Sequence, residues 1–386
     1  MIGSAGVKVR DIMLGIEPRE RRGVTRRGGI QPCRAPLSSR NRASFKRDAL
    51  GRVVEREERV LSGDPVTSRY EYDERGRLVS VMTDGVVSES YAYDSNGNRL
   101  GGLYDAQDRQ LAFNGATYAY DLNGSMTNRN GVALTWNLFG RLMSVGAVAY
   151  RRDERQRNCY KEQDGESVKE WLWSGSRIVA EYDYADNTTS VFVYAGATAP
   201  AYMIRSGVTY RIITDNQGSV RLVVNAETSE VAQRIDYDSF GRVLRDTNPG
   251  FQPFDFQGGL YDPDTGLVEF GCRWYDAETG RWISKDPILL DGGWNVYNFC
   301  ILDPINYHDG DGRAAIKIVV KTVKGLRKIV SRKSAKKVLK KGGSVNMEGA
   351  GVNKKAKRLA EEVTDQRIVR HVRSFGLFFR PNALAR

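Results

Sequence analysis

The residues of this chain with the clearest chemical pattern are tyrosines and aspartates that recur at a fixed spacing. Two tyrosines alternate along a strand, an aspartate follows, and a glycine comes three residues after the aspartate. Because strand side chains alternate between faces, the two rings lie on one face. The aspartate can accept backbone N–H groups across a turn, and the glycine supplies the positive φ that the turn needs. The positions are Tyr70, Tyr72, Asp73, Gly76 and Arg77, then Tyr91, Tyr93, Asp94 and Gly97, then Tyr118, Tyr120, Asp121 and Gly124, and later Tyr237, Asp238 and Gly241.

These rings could stack on a carbohydrate, or they could pack between neighbouring units of the repeat. A regular repeat supplies its rings at the same place in each unit, which favours packing. The arginine that leaves the turn, as Arg77 does, could pair with a nearby carboxylate or lie over a tyrosine ring.

Few other residues could form a catalytic or metal site. The chain has four cysteines, none in a Cys-x-x-Cys pair, and two histidines, His308 and His371. A zinc site is therefore not expected, a two-histidine site cannot be assembled inside the C-terminal tail, and no cofactor is expected. A catalytic site in the tail would depend on His371 with Arg370, Arg367 or Glu362, in the manner of a metal-independent ribonuclease.

The elements that must position the repeated residues are β-hairpins. A repeat of roughly 20 to 30 residues is typical of a stacked architecture. We predict that residues 45–312 are mainly β, with consecutive antiparallel hairpins in one curved sheet that forms a shell segment, and with few helices. After residue 312, apolar residues recur at helical spacing between lysines, which predicts a small basic α or α/β module.

Charge divides the chain into three segments. Residues 1–47 contain 12 Lys+Arg against 3 Asp+Glu, and residues 313–386 contain 21 against 4. Residues 48–312 contain 26 Lys+Arg against 40 Asp+Glu, together with all 19 Tyr and all 6 Trp. We expect residues 1–44 to be a disordered basic leader. The leader lacks the apolar stretch of a secretory signal, and no membrane span is expected.

A longer motif carries a family resemblance. The stretch from Phe254 to Leu267, FDFQGGLYDPDTGL, is followed by YDAETGRWISKDP from Tyr275 to Pro287, and then by NVY and DPIN at 295–297 and 303–306. With the tyrosine repeats, this succession resembles the YD-repeat, or RHS, family. The resemblance implies repeats at 45–250, an RHS repeat-associated core at 251–312, and a variable C-terminal domain at 313–386. In that family the hairpins coil into a closed shell around the C-terminal domain.

Complete shells of that family are far longer than this chain. The resemblance therefore implies either the downstream part of a longer protein or a shortened chain. It also implies a partner in the form of an N-terminal shell or delivery component.

The resemblance also implies a reaction. In several RHS and insecticidal-toxin relatives, aspartates of the core cut the chain just after its last motif, and Asp286 and Asp309 occupy such positions here. Two neighbouring carboxylates can act as acid and base because each shifts the proton affinity of the other. The chain departs from the family pattern at Leu289, Gly310 and Arg313, where Gly, Pro and Leu are usual. The alternative is that both aspartates are turn residues.

The composition of the tail predicts contact with a polyanion. Its net charge of +17 over residues 313–386 is larger than an ordinary solvated helix face carries. The expected nucleic-acid contacts are Lys336, Lys337, Lys340, Lys341, Lys354, Lys355 and Arg358.

The leading hypothesis is an RHS polymorphic toxin whose shell segment presents a basic effector that acts on nucleic acid. An immunity protein would be a further partner. Export to the cell surface or medium would need a dedicated secretion system, since no signal peptide is visible. The alternatives are a non-enzymatic YD-repeat surface protein that binds carbohydrate, and a truncated, inactive fragment.

Overall fold

The computed structural model describes residues 41–196 and 199–318. Within these ranges the chain forms 27 strands and three one-turn 3₁₀ helices, at Phe256–Gly258, Leu289–Gly292 and Cys300–Leu302. Every strand pair in these ranges is antiparallel. The prediction of a mainly β fold built from antiparallel hairpins is confirmed.

The first sheet has five strands that pair in chain order. They are β1 (Asn41–Arg47), β2 (Val53–Val60), β3 (Val66–Tyr72), β4 (Leu78–Thr83) and β5 (Val86–Ser90). Residues 41–44, the last four of the expected leader, form the start of β1. The rest of the leader lies outside the described residues.

The second sheet has sixteen strands, and each again pairs with its neighbour in the chain. They are β6 (Leu103–Tyr104), β7 (Gln110–Phe113), β8 (Ala116–Tyr120), β9 (Met126–Arg129), β10 (Val132–Trp136), β11 (Leu142–Val145), β12 (Val148–Arg152), β13 (Asn158–Gln163), β14 (Glu166–Ser174), β15 (Arg177–Asp183), β16 (Thr188–Val193), β17 (Tyr202–Arg205), β18 (Val208–Thr214), β19 (Val220–Asn225), β20 (Val231–Tyr237) and β21 (Val243–Asp246). Most of these strands are joined by turns of only a few residues, which keeps strands that follow each other in the chain adjacent in the sheet.

Residues 251–318 form shorter strands that do not continue the long sheet. A four-stranded sheet contains β22 (Leu260–Asp262), β23 (Leu267–Phe270), β24 (Arg273–Asp276) and β25 (Arg281–Trp282). A two-stranded ladder pairs β26 (Tyr307–His308) with β27 (Ile316–Lys317).

The strand ladder is interrupted between β5 and β6, so the expectation of one continuous sheet is wrong. In this gap one isolated bridge joins Tyr93 and Arg99. Side chains from the 251–312 segment enter here. Arg281 Nη1 and Asn295 Nδ2 donate to Asn98 Oδ1 at 3.0 and 2.8 Å. These side-chain hydrogen bonds occupy the gap between β5 and β6, in place of strand-to-strand hydrogen bonds.

The turns between hairpins follow from the aspartate chemistry. Asp73 Oδ1 accepts the backbone N–H groups of Arg75 and Arg77 at 3.0 and 2.9 Å, and its Oδ2 accepts Nε of Arg77 at 2.6 Å. Gly76 takes a φ of 82° to close the turn. The same Asp–Arg pair, four residues apart, recurs at Asp48/Arg52, Asp105/Arg109, Asp153/Arg157 and Asp238/Arg242.

The hydrophobic core lies where the 251–312 segment packs on the two large sheets. Leu267, Trp274 and Ile283 pack with the apolar residues of β9–β12, and Phe254 packs with those of β15–β20. Ile305 packs with residues of β2–β4. Fully burying one such side chain stabilises a fold by about 1.5–3 kcal/mol. The segment therefore holds both sheets of the repeat region through its apolar side chains.

Among the described residues, no helix is long and apolar enough to cross a membrane.

Candidate active site

The structure brings Asp286 and Asp309 together around one arginine. Nη2 of Arg273 lies 2.8 Å from Asp286 Oδ2 and 3.2 Å from Asp309 Oδ2. All three side chains are almost fully buried, with exposed fractions of 3–6%. Hydrogen bonds between ionised groups in such surroundings are strong and directional. The pair predicted from the sequence is thus one cluster in the fold.

Short elements position the three charged groups. Arg273 begins β24, and its guanidinium lies 4.0 Å over the ring of Trp282 in β25. Asp286 Oδ1 accepts the backbone N–H of Ile288 at 3.0 Å, in the turn that precedes the 289–292 helix. Asp309 follows β26, and its backbone N–H donates to Oε1 of Gln257 at 3.3 Å. The side chains of Arg273 and Asp286 are therefore each fixed by a ring or backbone contact, and the backbone of Asp309 is anchored by Gln257.

The same cluster forms hydrogen bonds with the backbone of residues 312 and 313. Nε of Arg273 donates to the carbonyl oxygen of Gly312 at 2.6 Å, and Sγ of Cys272 donates to the same oxygen at 2.9 Å. The backbone N–H of Arg313 donates to Asp309 Oδ1 at 2.9 Å. The chain is thus held in one bent path, with Gly312 at a φ of 69°, at the end of the 251–312 segment.

Asp286 borders the next peptide bond. A methyl group placed on Gly292 would lie 2.5 Å from Asp286 Oδ2 and 3.3 Å from the carbonyl oxygen of Arg313. Both oxygens therefore line the same small space beside Gly292. The backbone of Arg313 has one aspartate at its N–H and the other near its carbonyl group.

Burial raises the pKa of both carboxyl groups above the usual range for aspartate. For Asp286 burial is the largest cause, and the bond to Arg273 offsets part of it. For Asp309 burial is again the largest cause, Arg273 opposes it, and the charges of Asp311 and Asp286 add to it. A raised pKa keeps a proton available on the pair closer to neutral pH, which acid–base catalysis needs.

Arg273 was not singled out from the sequence, since it lies outside every repeated motif. The sequence offered one indication of its role: Arg273 is a charged residue within an otherwise uncharged stretch, from Phe270 to Trp274. Asp303, in contrast, lies apart from the site: both of its carboxylate oxygens accept Nδ2 of Asn306 at 3.0 Å. Burial raises its pKa to about 6.

The repeated aromatic residues form a ladder of contacts between units. The Tyr72 hydroxyl donates to the carbonyl oxygen of Val53 at 2.7 Å, and the Tyr93 hydroxyl donates to that of Leu78 at 2.9 Å. Each acceptor is the first residue after the turn of the preceding unit. The same bond is made by Trp136 to Met126, Trp173 to Asn158, Tyr194 to Ile178 and Tyr237 to Val220.

Other motif tyrosines pack in the core. Tyr70 is buried among residues of the first sheet, with Tyr91 beside it. Tyr118 and Tyr120 pack against the cluster of β9–β12. An arginine covers several of the rings, as Arg77 covers Tyr93 at 5.0 Å, so these ring faces are already in contact.

Two motif glycines also lie against the 251–312 segment. A methyl group on Gly124 would lie 2.3 Å from Cε of Lys285, and one on Gly241 would lie 2.3 Å from Cδ1 of Phe256. No side chain fits at either distance without displacing its neighbour.

The candidate residues of the tail lie outside the described residues. They are His371, Arg370, Lys336, Lys337, Lys340, Lys341, Lys354, Lys355 and Arg358. Within residues 41–196 and 199–318, no group of three or more His, Cys, Asp and Glu is arranged to hold a metal ion.

Comparison with known proteins relates most of the described chain to one family. The Teneurin YD-shell family model matches residues 37–299. Teneurin-4 of Mus musculus is 31% identical over 263 residues, which are 62% of this chain and 10% of that protein. Teneurin-3 of Danio rerio is 30% identical over 293 residues, which are 67% of this chain and 11% of that protein. The chain thus spans about a tenth of the length of these relatives.

Two solved structures are similar over most of this chain. A Photorhabdus luminescens Tc holotoxin pore covers 72% of it, with 17% identity and a TM-score of 0.46, and the match is 18% of that chain. The crystal structure of TcdB2-TccC3 covers 70%, with 17% identity and a TM-score of 0.41, again over 18% of that chain.

Proposed function

The chain belongs to the Teneurin YD-shell family, and we propose that its shell segment ends in a core that cuts its own chain. In this proposal residues 45–250 are the YD repeats and residues 251–312 are an RHS repeat-associated core. The core hydrolyses the peptide bond between Arg313 and Ala314. The cut separates the basic residues 314–386 from the shell segment.

One observation carries this proposal: two buried carboxylates lie close to the backbone of Arg313. Its N–H is bonded to Asp309, and its carbonyl oxygen lines the same space as Asp286 Oδ2. A turn role alone explains the bond from Ile288 to Asp286, but not the convergence of both side chains on Arg273. Burying two carboxylates beside a single cation is unfavourable because one negative charge is left without its own partner. Such an arrangement is more typical of a functional site than of a turn.

The proposed reaction uses the two aspartates as acid and base. Asp309, ionised, takes a proton from a water molecule whose oxygen attacks the carbonyl carbon of Arg313. Asp286, protonated, donates to the carbonyl oxygen of that residue as negative charge develops there. The proton on Asp309 then passes to the nitrogen of Ala314, the C–N bond breaks, and Asp286 recovers its proton. The products are a carboxyl group on Arg313 and an amine on Ala314.

Arg273 acts in this scheme by position and by charge. Its guanidinium holds both carboxylates, so their separation is fixed before the reaction. Its Nε holds the carbonyl oxygen of Gly312, which keeps the chain to be cut beside the aspartates. Placing reacting groups in advance removes an entropic part of the barrier.

The released tail would act on nucleic acid. Its 20 basic residues against 4 acidic ones would neutralise phosphates and release counterions. As an effector in antagonism between cells, it would be exported through a dedicated secretion system and blocked by an immunity protein. The contacts that already cover the repeat tyrosines argue against the alternative of carbohydrate binding by the same rings.

The direct test is the mass of the purified full-length chain with time. Cleavage would yield two fragments that meet between Arg313 and Ala314, and Asp309→Asn would remain intact. A cut at another bond, or equal cutting of Asp309→Asn, would contradict the proposed site.

A further inference from the structure

A second buried cluster joins the repeat sheet to the 251–312 segment. Nζ of Lys161, in β13, lies 2.5 Å from Oδ1 of Asp262 at the end of β22. The exposed fractions of the two side chains are 4% and 7%. Nζ of Lys161 also contacts Oδ2 of Asp264, which is more exposed. An amine and a carboxyl group are thus held in contact away from solvent.

The second oxygen of Asp262 is polarised by a hydroxyl group. Tyr150, which is 1% exposed, donates its O–H to Asp262 Oδ2 at 2.6 Å. The backbone N–H of Asp264 donates to Asp262 Oδ1 at 2.9 Å. The Tyr150 ring packs on Trp274 at 4.9 Å, so the cluster has an aromatic wall. Both carboxylate oxygens therefore carry hydrogen-bond donors, which makes the carbon between them more electrophilic.

We propose that Lys161 and Asp262 form an intramolecular isopeptide bond. Asp264 first takes one proton from the ammonium group of Lys161. The freed amine Nζ then attacks Cγ of Asp262, a new Nζ–Cγ amide bond forms, and the Cγ–Oδ1 bond breaks. Two of the three ammonium protons leave with Oδ1 as one water molecule, and Asp264 carries them from nitrogen to oxygen. Oδ2 remains as the amide oxygen and keeps the hydrogen bond from Tyr150. The ammonium and the carboxylate become a neutral amide and water, so charge and atoms balance and no oxidant is needed.

Burial favours the amide over the ion pair. Holding a lysine and an aspartate as ions inside a protein carries a desolvation cost for each ion. The neutral amide removes both charges. A fixed amine next to a carbonyl carbon also has a very high effective concentration. A cavity of about 60 Å³ borders Tyr150, Lys161, Asp262 and Trp274 and can take the released water.

Lys169 provides an internal comparison. Its Nζ also contacts two carboxylates, Glu181 at 3.2 Å and Asp183 at 2.9 Å. Its side chain is 17% exposed, and both distances are longer than the one from Lys161 to Asp262. We assign no covalent bond to Lys169, and its replacement is the matched control.

The cross-link would tie the sixteen-stranded sheet to the segment that carries the aspartate site. Both residues precede Arg313, so the link stays within one fragment whether or not the chain cuts itself. Its presence is therefore independent of the proposed self-cleavage.

The test is the intact mass of the denatured full-length protein, followed by peptide mapping. We expect the wild type, or its fragment ending at Arg313 once the chain has cut itself, to be lighter than its sequence by one water molecule. Tryptic digestion should yield a branched peptide joining residues 161 and 262. Lys161→Met should restore the full mass and lose the branched peptide, whereas Lys169→Met should remain one water lighter. Asp264→Asn, which keeps the amine and the carboxyl group, should form the link more slowly.

A wild-type mass equal to that of the sequence would overturn the proposal, and no variant is needed for that result. A missing water that maps to an Asp-Gly pair such as Asp84-Gly85, with separate peptides for residues 161 and 262, would also overturn it. Such a loss would arise from imide formation at the aspartate instead.

Discussion

Oδ1 of Asp309 accepts the backbone N–H of Arg313 at 2.9 Å, so a buried carboxylate is bonded to the residue that directly follows the 251–312 segment. The other oxygen of Asp309 contacts Arg273, which also holds Asp286. A turn aspartate usually bonds the N–H groups two to four residues after it. Asp309 does this and is also tied to a second carboxylate through the arginine, which is the arrangement that an acid–base pair needs.

Replacing Asp286 by Asn should block self-cleavage and leave the fold intact. Asn keeps the size of the side chain and can still accept the N–H of Ile288, but it cannot donate a carboxyl proton. We expect the rate of cutting to fall roughly a hundred-fold or more. The measurement is a time course of intact mass, with circular dichroism to check the fold. Asp291→Asn, at an exposed aspartate nearby, is the matched control and should cut like the wild type.

Asp255 should make the free energy of unfolding fall as pH rises. Most paired aspartates have the opposite effect, because their stabilisation is lost as pH falls. Burial raises its pKa from 3.8 to about 7, despite the hydroxyl of Tyr237 on its Oδ1. The folded state therefore binds the proton more tightly than the unfolded state. The stabilisation is fully present below pH 3.8 and is lost as pH rises through about 7. The loss is on the order of 4 kcal/mol at most.

Urea unfolding between pH 4 and pH 8 measures this effect against Asp255→Asn, which lacks the titrating group. Asp73→Asn is the contrasting variant. Burial opposes ionisation of Asp73, but its bonds to Arg77 outweigh burial and lower its pKa, so its contribution is present above pH 3.8 and should change little between pH 4 and pH 8. If the stability difference between wild type and Asp255→Asn stayed constant with pH, the raised pKa would be wrong.

The aromatic ladder should contribute to stability through single hydroxyl groups. The Tyr194 hydroxyl donates to the carbonyl oxygen of Ile178 at 2.8 Å, and that residue is 1% exposed. Tyr194→Phe removes this hydrogen bond to a buried carbonyl group and should reduce the free energy of unfolding by about 1–2 kcal/mol. Tyr202→Phe is the control, because Tyr202 is 39% exposed and should change stability very little. Equal effects of the two variants in urea unfolding would show that the ladder bond contributes nothing.

The aspartate turns were predictable from the sequence only where a glycine follows the aspartate by three residues. The unit at Asp73 was recognised because Gly76 supplies the positive φ. The units at Asp105 and Asp153 have the same Asp–Arg pairs but no such glycine. Asp108 and Gln156 take the positive φ in these turns, at 60° and 61°. A search for Asp with Arg four residues later would have found both.

The break in the sheet and the full aspartate site were not predictable in the same way. Both depend on contacts between distant residues, such as Arg281 with Asn98, which are 183 positions apart. The local sequence pattern predicts each strand and its turn. The interruption of the strand ladder between β5 and β6, in contrast, depends on how the 251–312 segment packs there. Arg273 likewise has its role only through Asp286 and Asp309, 13 and 36 residues later.

The tail should give the chain salt-dependent affinity for nucleic acid. Full-length protein and a chain ending at Arg313 should be titrated with RNA and DNA at low and moderate salt. We expect binding only with the tail, and a steep fall in affinity as salt rises. Replacing Lys336, Lys337, Lys340 and Lys341 by Gln should flatten that dependence. Equal binding by the shortened chain, or affinity that does not change with salt, would contradict a nucleic-acid role for the tail.

The new N-terminus after self-cleavage tests the central claim most directly. Purified wild-type chain should be kept near neutral pH, and the fragments sequenced from their N-termini and weighed. The arrangement of Asp286, Asp309 and Arg273 predicts a fragment that begins at Ala314 and a partner that ends at Arg313. A full-length chain of 386 residues that persists unchanged for days would contradict the account and would leave the two aspartates as structural residues of their turns.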